Sequence, residues 1–397
     1  MRIRIIGAGR VGAPLGAWFM SKGHHVKFVE TNTALLEQVL TGTLPWEEPY
    51  LNETLQDEVE EFHITDDEPC DWTFISVGTP VIDGKPLLRN VENIVRELEP
   101  ETNVVLRSTV APGTCDTLAK KFNRVIWHAP ERLLLGRGLD ELDELPQIIG
   151  ATEPASLINT NEFMRAFGRC FPKFVPGTAV EAECAKVANN IMRYIEFAAG
   201  TELSELFEVV GANNRVVRGM MTNGYKRGRI SFPSFVGSYC LDKDWQMLSH
   251  VTKTTPKLAS AAADYNLNLP KRLLNSIPLN GQRVVVLGLT YKPGLDDCRE
   301  SPSLTIISEL LKYGNVDIRV HDPLVDVEAH LMEYFGGPME GLSTITGDLQ
   351  AEVRKADVVV LATAHDDYCH TLEFKDEATI IDPSGNLASN SNFIWEA

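Results

Sequence analysis

The chain opens "MRIRIIGAGRVGAPLGAWFMSKGHHVKFVE", Met1 to Glu30, and the reading of this stretch decides the fold. "RIRII" is a short apolar run, and Gly7, Gly9 and Gly12 follow it where a helical pattern begins. Glycines at that spacing let the backbone approach a pyrophosphate at a helix N-terminus, where unpaired N–H groups face outward. A second run, "HHVKFVE", ends in Glu30. A carboxylate there accepts bonds from ribose hydroxyls and repels a 2′-phosphate, which favours NAD over NADP. Taken alone, the pattern is a tight turn with a surface acid. Its place at the first strand–helix turn makes it a dinucleotide site, with Gly7, Gly9, Arg10, Val11, Gly12 and Glu30 as cofactor contacts.

Moving outward, "DWTFISVGTP", "NVVLRSTV", "RVIWHAP" and "PQIIGAT" read as further strands of a mostly parallel sheet. The texture changes near Thr178. From Ala179 to about Val210 strong breakers are few and the apolar spacing is helical, with Gly200 the soft point of one long helix or two in series. Such a helix is too long for a crossover and suits a spine between domains or subunits. From "GQRVVVLGLTYKPG" the α/β texture returns, with "VDIRVHDP", "DVVVLATAHDD" and "ATIIDPSGN" as strands and "SPSLTIISELLKYG" as an amphipathic helix closed by Gly314. The expected fold is α/β: two Rossmann-like doubly wound domains, 1–178 and 279–397, joined by a central all-helical domain, 179–278, with a long helix.

A net charge of −18 over 397 residues opposes nucleic acid and anionic membranes as partners. The N-terminus lacks a signal-peptide pattern, and no apolar run is long enough to cross a bilayer. The seven cysteines are scattered and never form C-x-x-C, which reads as reduced thiols in a cytoplasmic protein and not as a disulfide frame or a metal site.

One cysteine stands in "GSYCLDKDWQML", Gly237 to Leu248. Cys240 precedes Lys243 and Asp244, and upstream Lys186 and Asn190 are four apart and share a helix face. Most free cysteines are buried small hydrophobes, and C-x-x-K-D proves little by itself. Its company is more specific. After "GAGRVG" come "EEPYL" (Glu47–Leu51), "SVGTP" (Ser76–Pro80), "RSTVAPGT" (Arg107–Thr114), "APERL" (Ala129–Leu133), "AECAKVANN" (Ala182–Asn190), "GSYCLDKD", "LGLTYKPGLDDCRESP" (Leu287–Pro302), "VHDP" (Val320–Pro323) and "LATAHDD" (Leu361–Asp367). In this order, nearly end to end, the chain resembles the UDP-glucose/GDP-mannose (nucleotide-sugar) 6-dehydrogenases.

The resemblance implies oxidation of a sugar C6 alcohol to a carboxylate with two NAD in turn, through a thiohemiacetal and then a thioester on Cys240. Lys186 and Asn190 match residues that stabilise the oxygen as it gains negative charge. Asp244 and Thr109 match the pair that positions water and relays protons, and Glu131 the candidate base for thioester hydrolysis. On the cofactor side the resemblance adds Thr79, Thr109, Lys243 and Arg299. On the substrate side it adds Glu131, Lys186, Asn190, Gly237, Lys292 and, from the basic stretch "GYKRGRI", Arg229 reaching a neighbouring subunit. It also implies a homodimer acting on a UDP-sugar, UDP-glucose foremost.

The pattern departs from the family at three places. Before Cys240 the usual glycine-rich run becomes "FPSFVGSYC", where Phe235 and Tyr239 are expected to reshape the loop that cradles the sugar. In "PERLLLGRGLDEL" Leu135 stands where UDP-glucose enzymes carry a second glutamate, and the segment looks more like enzymes acting on UDP-N-acetylhexosamines. "CLDKD" retains the lysine usual in the UDP-glucose enzymes. "DPSGN" replaces a segment that usually carries an arginine. Two competing readings are a two-electron hydroxyacid-type dehydrogenase, which needs neither Cys240 nor a second α/β domain, and a non-catalytic NAD-binding homologue.

Overall fold

The structure, a computed structural model, describes all residues except 154, 238, 370, 388–391 and 394–397. The chain forms two compact units, residues 1–190 with 243–255, and residues 191–242 with 256–397.

In the first unit the strands are β1 (Arg2–Ile6), β2 (His25–Val29), β3 (Trp72–Ile75), the small hairpin β4 (Val81–Ile82) and β5 (Lys85–Pro86), β6 (Asn103–Leu106), β7 (Ile126–His128), β8 (Gln147–Ala151) and β9 (Phe174–Thr178). The sheet runs β2-β1-β3-β6-β7-β8-β9, parallel except where β8 meets β7. β3 is buried along its whole length, as a strand covered on both faces must be, and so reads as a continuous apolar run. A lone parallel bridge, Val26 to His63, adds a residual third position beside β2. With it the first six positions follow the doubly wound order 3-2-1-4-5-6. The helix Gly12–Ser21 is buried from Gly12 to Met20, which explains why "GAPLGAWFM" has no polar face. Its Phe19 packs 5.1 Å from Phe74, in an aromatic cluster with Phe163, Phe167 and Phe171.

In the second unit β10 (Arg283–Leu287), β11 (Asp317–His321), β12 (Leu342–Thr344), β13 (Val358–Leu361), β14 (Thr379–Ile381) and β15 (Asn392–Phe393) form an all-parallel sheet. Its order, β12-β11-β10-β13-β14-β15, is again 3-2-1-4-5-6. The helix Pro302–Leu311 begins with Ser301, whose hydroxyl accepts from the Ser303 N–H, and with Pro302 at the first helical position. The stretch between the sheets is helical: Ala179–Val209, Asn214–Thr222, Tyr239–Thr252 and Lys257–Asn275. The first of these is one uninterrupted helix of 31 residues. Gly200 does not break it. A Cβ at Gly200 would lie 2.4 Å from the Ser231 carbonyl oxygen, so the glycine admits a close backbone crossing.

Candidate functional site

The cofactor end is built in the first unit from the loops at the carboxyl ends of β1, β2, β3 and β6. Gly7 has φ +89°, which a side chain would strain, and a Cβ at Gly12 would lie 1.9 Å from the Gly7 carbonyl oxygen. At Gly9 a Cβ would meet nothing within 4 Å, the open approach a pyrophosphate needs. The Arg10 guanidinium lies 5.3 Å from the Trp46 ring centre, and Val11 caps the helix Gly12–Ser21. Glu30 accepts N–H bonds from Ala8 at 2.9 Å, Thr31 at 2.8 Å and Asn32 at 3.0 Å. Burial pushes this carboxyl up, but those bonds outweigh it and hold the acid below its ordinary value, hence ionised. Thr79 donates to the Thr109 carbonyl at 2.5 Å, joining the loops after β3 and β6. These residues fit NAD, which accepts a hydride when bound. Glu30→Ala is expected to weaken NAD about tenfold or more while leaving NADP much less affected, as loss of a charge-assisted bond to ribose requires. Dissociation constants for the two dinucleotides check it.

The same unit gathers five more of the predicted residues. Asp244 is fully buried; it accepts from the Asn190 amide at 2.6 Å and the Lys243 ammonium at 2.9 Å. Lys186, one turn before Asn190 on the same helix, is half-buried. Its charge reaches His128, which burial first, and then Lys186 and Arg107, hold down to about 3. His128 is therefore neutral, with Nδ1–H donating to the Leu106 carbonyl at 2.8 Å. Glu131 is held on both oxygens, by the Arg107 guanidinium and by the Leu133 N–H, each at 2.5 Å. A residue the sequence left without a role, Glu183, accepts from the N–H groups of Gly113 at 2.6 Å and Cys115 at 2.8 Å. It thereby fastens the start of the helix Thr114–Phe122, just after the Thr109 loop, to the long helix. Burial pushes Glu183 up to about 7 against those bonds.

The second unit holds Arg229, Gly237, Cys240, Lys292 and Arg299. Cys240 is exposed, in the first turn of the helix Tyr239–Thr252. The loop before it is set by two residues. Phe235 turns inward, 7% exposed, into the core shared with Leu269, Leu273 and Leu304, which takes up its bulk. The Tyr239 side chain lies outside what is described. Gly237 backs onto the chain, with a Cβ falling 2.3 Å from the Glu300 carbonyl oxygen, which accounts for the one glycine retained. Arg299 forms a two-pronged pair with Asp297, at 2.9 and 2.6 Å, and lies within electrostatic range of Cys240. Lys292 is half-buried on the loop after β10, and Arg229 is exposed. At "DPSGN", Arg215 donates to the Gly385 carbonyl at 2.5 Å, so a basic contact there comes from another helix.

A glycine-rich strand–helix turn with an acid after the second strand, an exposed cysteine and a second Rossmann-like sheet are the parts of a nicotinamide-dependent dehydrogenase, and the family match agrees. Residues 1–167 match the NAD-binding domain, residues 180–268 the central domain and residues 285–387 the UDP-binding domain of one family. The chain belongs to the UDP-glucose/GDP-mannose dehydrogenase family. It is 27% identical over 388 residues to a UDP-N-acetyl-D-mannosamine dehydrogenase of Methanococcus maripaludis, covering 92% of this chain and 86% of that one. It is also 27% identical over 398 residues to a UDP-glucose 6-dehydrogenase of Pseudomonas aeruginosa, covering 91% and 87%. In fold it is similar to a UDP-glucose dehydrogenase of Pyrobaculum islandicum, with TM-score 0.87 at 23% identity over 99% and 96% of the two chains.

Proposed function

We propose that this protein oxidises C6 of a UDP-sugar from alcohol to carboxylate in two hydride transfers to NAD, with Cys240 as the nucleophile between them. The observation that carries this reading is the helix Tyr239–Thr252, which sets Cys240 one turn before a buried Asp244 that already holds Asn190 and Lys243. In the first step C6 loses a hydride and its hydroxyl loses a proton, leaving an aldehyde. The Cys240 thiolate adds to the aldehyde carbon and the oxygen becomes a thiohemiacetal alkoxide, which in this reading the cation of Lys186 and the amide of Asn190 stabilise. Loss of the second hydride leaves a thioester. A water placed by Asp244 and Thr109 then cleaves it, releasing the carboxylate and the thiol. In this reading Glu131, fixed by Arg107, is the base for that cleavage. Lys292 and Arg229 bind the substrate, and Arg299 and Lys243 flank the cofactor.

The domains 1–178, 179–278 and 279–397 belong to the same reading, as does a homodimer in the cytoplasm. Exposed apolar residues on the central helices, Leu206, Val209, Val216 and Met220 among them, suit a subunit interface. Among the described residues no helix is long and apolar enough to cross a membrane.

UDP-glucose is the first choice of substrate, on the Cys-x-x-Lys-Asp pattern whose lysine pairs with Asp244. A UDP-N-acetylhexosamine is the second reading, favoured by Leu135 in "PERLLLG" and by the Methanococcus relative. Initial rates with UDP-glucose, UDP-N-acetylglucosamine, UDP-N-acetylmannosamine and GDP-mannose separate them. UDP-glucose is expected to give the highest kcat/KM. A preference for an acetamido sugar of about a hundredfold, the scale of pocket discrimination, establishes the second reading, and silence with all four overturns both.

A further inference from the structure

The two sheets share a strand order, so their loops can be compared position by position. In the first, Gly7 has φ +89°, its N–H bonds the Val29 carbonyl at 2.9 Å, and the acid after β2, Glu30, accepts from the next N–H, that of Ala8. In the second, Gly288 has φ +90°, its N–H bonds the His321 carbonyl at 2.8 Å, and the acid after β11, Asp322, accepts from the Leu289 N–H at 2.7 Å. Asp322 is therefore the counterpart of Glu30, but its bonding is different. It is buried, and it also accepts from the Thr290 N–H at 3.1 Å, from His365 Nε2 at 3.1 Å and, on its other oxygen, from the Leu324 N–H at 2.9 Å.

His365, at the carboxyl end of β13, is 2% exposed. Its Nδ1 accepts from the Gly294 N–H at 3.3 Å, which assigns the proton to Nε2 and so to Asp322. Nε2 also lies 3.0 Å from the Thr290 hydroxyl, and that hydroxyl bonds the Lys292 carbonyl at 3.3 Å. The loop 288–294 is thus gripped at its start and at its end, at the carboxyl ends of β10 and β13. In doubly wound sheets this is the switch point where ligands bind. Glu30 is bonded on both oxygens as well but is only half-buried, whereas Asp322 is 7% exposed with a histidine against it and offers a ribose no open edge.

We propose that Asp322 and His365 are positioning residues for the nucleotide sugar: the acid that would read a ribose is turned inward, and together with the histidine it sets the loop that presents Lys292. This rests on the UDP-sugar reading. The test uses the full chain, with calorimetric titration of UDP and of NAD separately, KM for each substrate, and thermal melts.

His365→Leu and Asp322→Asn are expected to weaken UDP about tenfold or more and to raise KM for the sugar nucleotide alike, the scale of lost buried bonds. NAD affinity stays within about twofold, because the glycine turn and Glu30 that hold it are in the other unit. His365→Gln, which keeps a donor toward Asp322, recovers part of the loss and remains informative if Asp322→Asn fails to fold. Val353→Ala, a buried truncation elsewhere in the same sheet domain, is the control for destabilisation alone. The proposal is overturned if folded His365→Leu binds UDP as the parent does, or if Val353→Ala loses UDP affinity as much. A parent protein that binds NAD but not UDP overturns the UDP-sugar reading itself, a result visible before any variant is made.

Discussion

Replacing Cys240 by serine is expected to lower the rate of carboxylate formation by roughly a thousandfold or more, the usual cost of losing a covalent nucleophile. A thiol at neutral pH has a few per cent of thiolate, whereas a serine hydroxyl has almost none without a strong base beside it. The hemiacetal that serine could form is also followed by an oxygen ester, a poorer partner for hydrolysis than a thioester. Because Cys240 is exposed at its helix start, the exchange leaves no cavity, and the variant should melt with the parent. Steady-state NADH production checks the rate, and mass spectrometry of a quenched parent reaction checks for a sugar adduct on the tryptic peptide holding Cys240. A folded serine variant as fast as the parent removes covalent catalysis from the account.

The second large effect is expected at Asp244. Its carboxylate is fully buried and satisfies both the Lys243 ammonium and the Asn190 amide. Asp244→Ala removes the carboxylate from a buried pair with Lys243 and takes the acceptor from Asn190, and breaking a pair of this kind costs about 3–5 kcal/mol. At two to four degrees per kcal/mol, the melting midpoint should fall by roughly 10 °C. Asp244→Asn keeps the shape and one acceptor but neither the charge nor the second acceptor, so it should recover only part of that loss while activity stays low. Thermal melts of the two variants beside their kcat values separate the structural part of the role from the chemical part. If Asp244→Ala melts within a degree or two of the parent, the pair does not carry the load assigned to it.

The first sheet was legible in two ways: "WTFI" is covered on both faces and spells itself as an apolar run, and "RIRII" alternates, burying Ile3 and Ile5. β9 was not legible: "FVPGT" carries Pro176, tolerated only because β9 is an edge strand. β12, "LST", is a short, half-buried edge strand with no pattern to read. The backbone of the first strand–helix turn was legible, since Gly7 and Gly12 answer local demands of the chain and Gly9 leaves the surface beside it open. The direction of Phe235 was not legible, because a bulky residue in a loop says nothing about which way it points; the C-terminal core takes it in. Glu183, Asp322 and His365 stood inside quoted motifs without a role, because their partners are backbone N–H groups and side chains brought close only by folding. The one available signal was positional: Asp322 ends β11 as Glu30 ends β2.

The most direct test of the central claim is the NADH released per molecule of limiting UDP-sugar, driven to completion with excess NAD. Two oxidations at one carbon predict two NADH for each sugar and a carboxylate product. One NADH for each sugar, with an aldehyde or ketone as product, would contradict the account and leave Cys240 without a task.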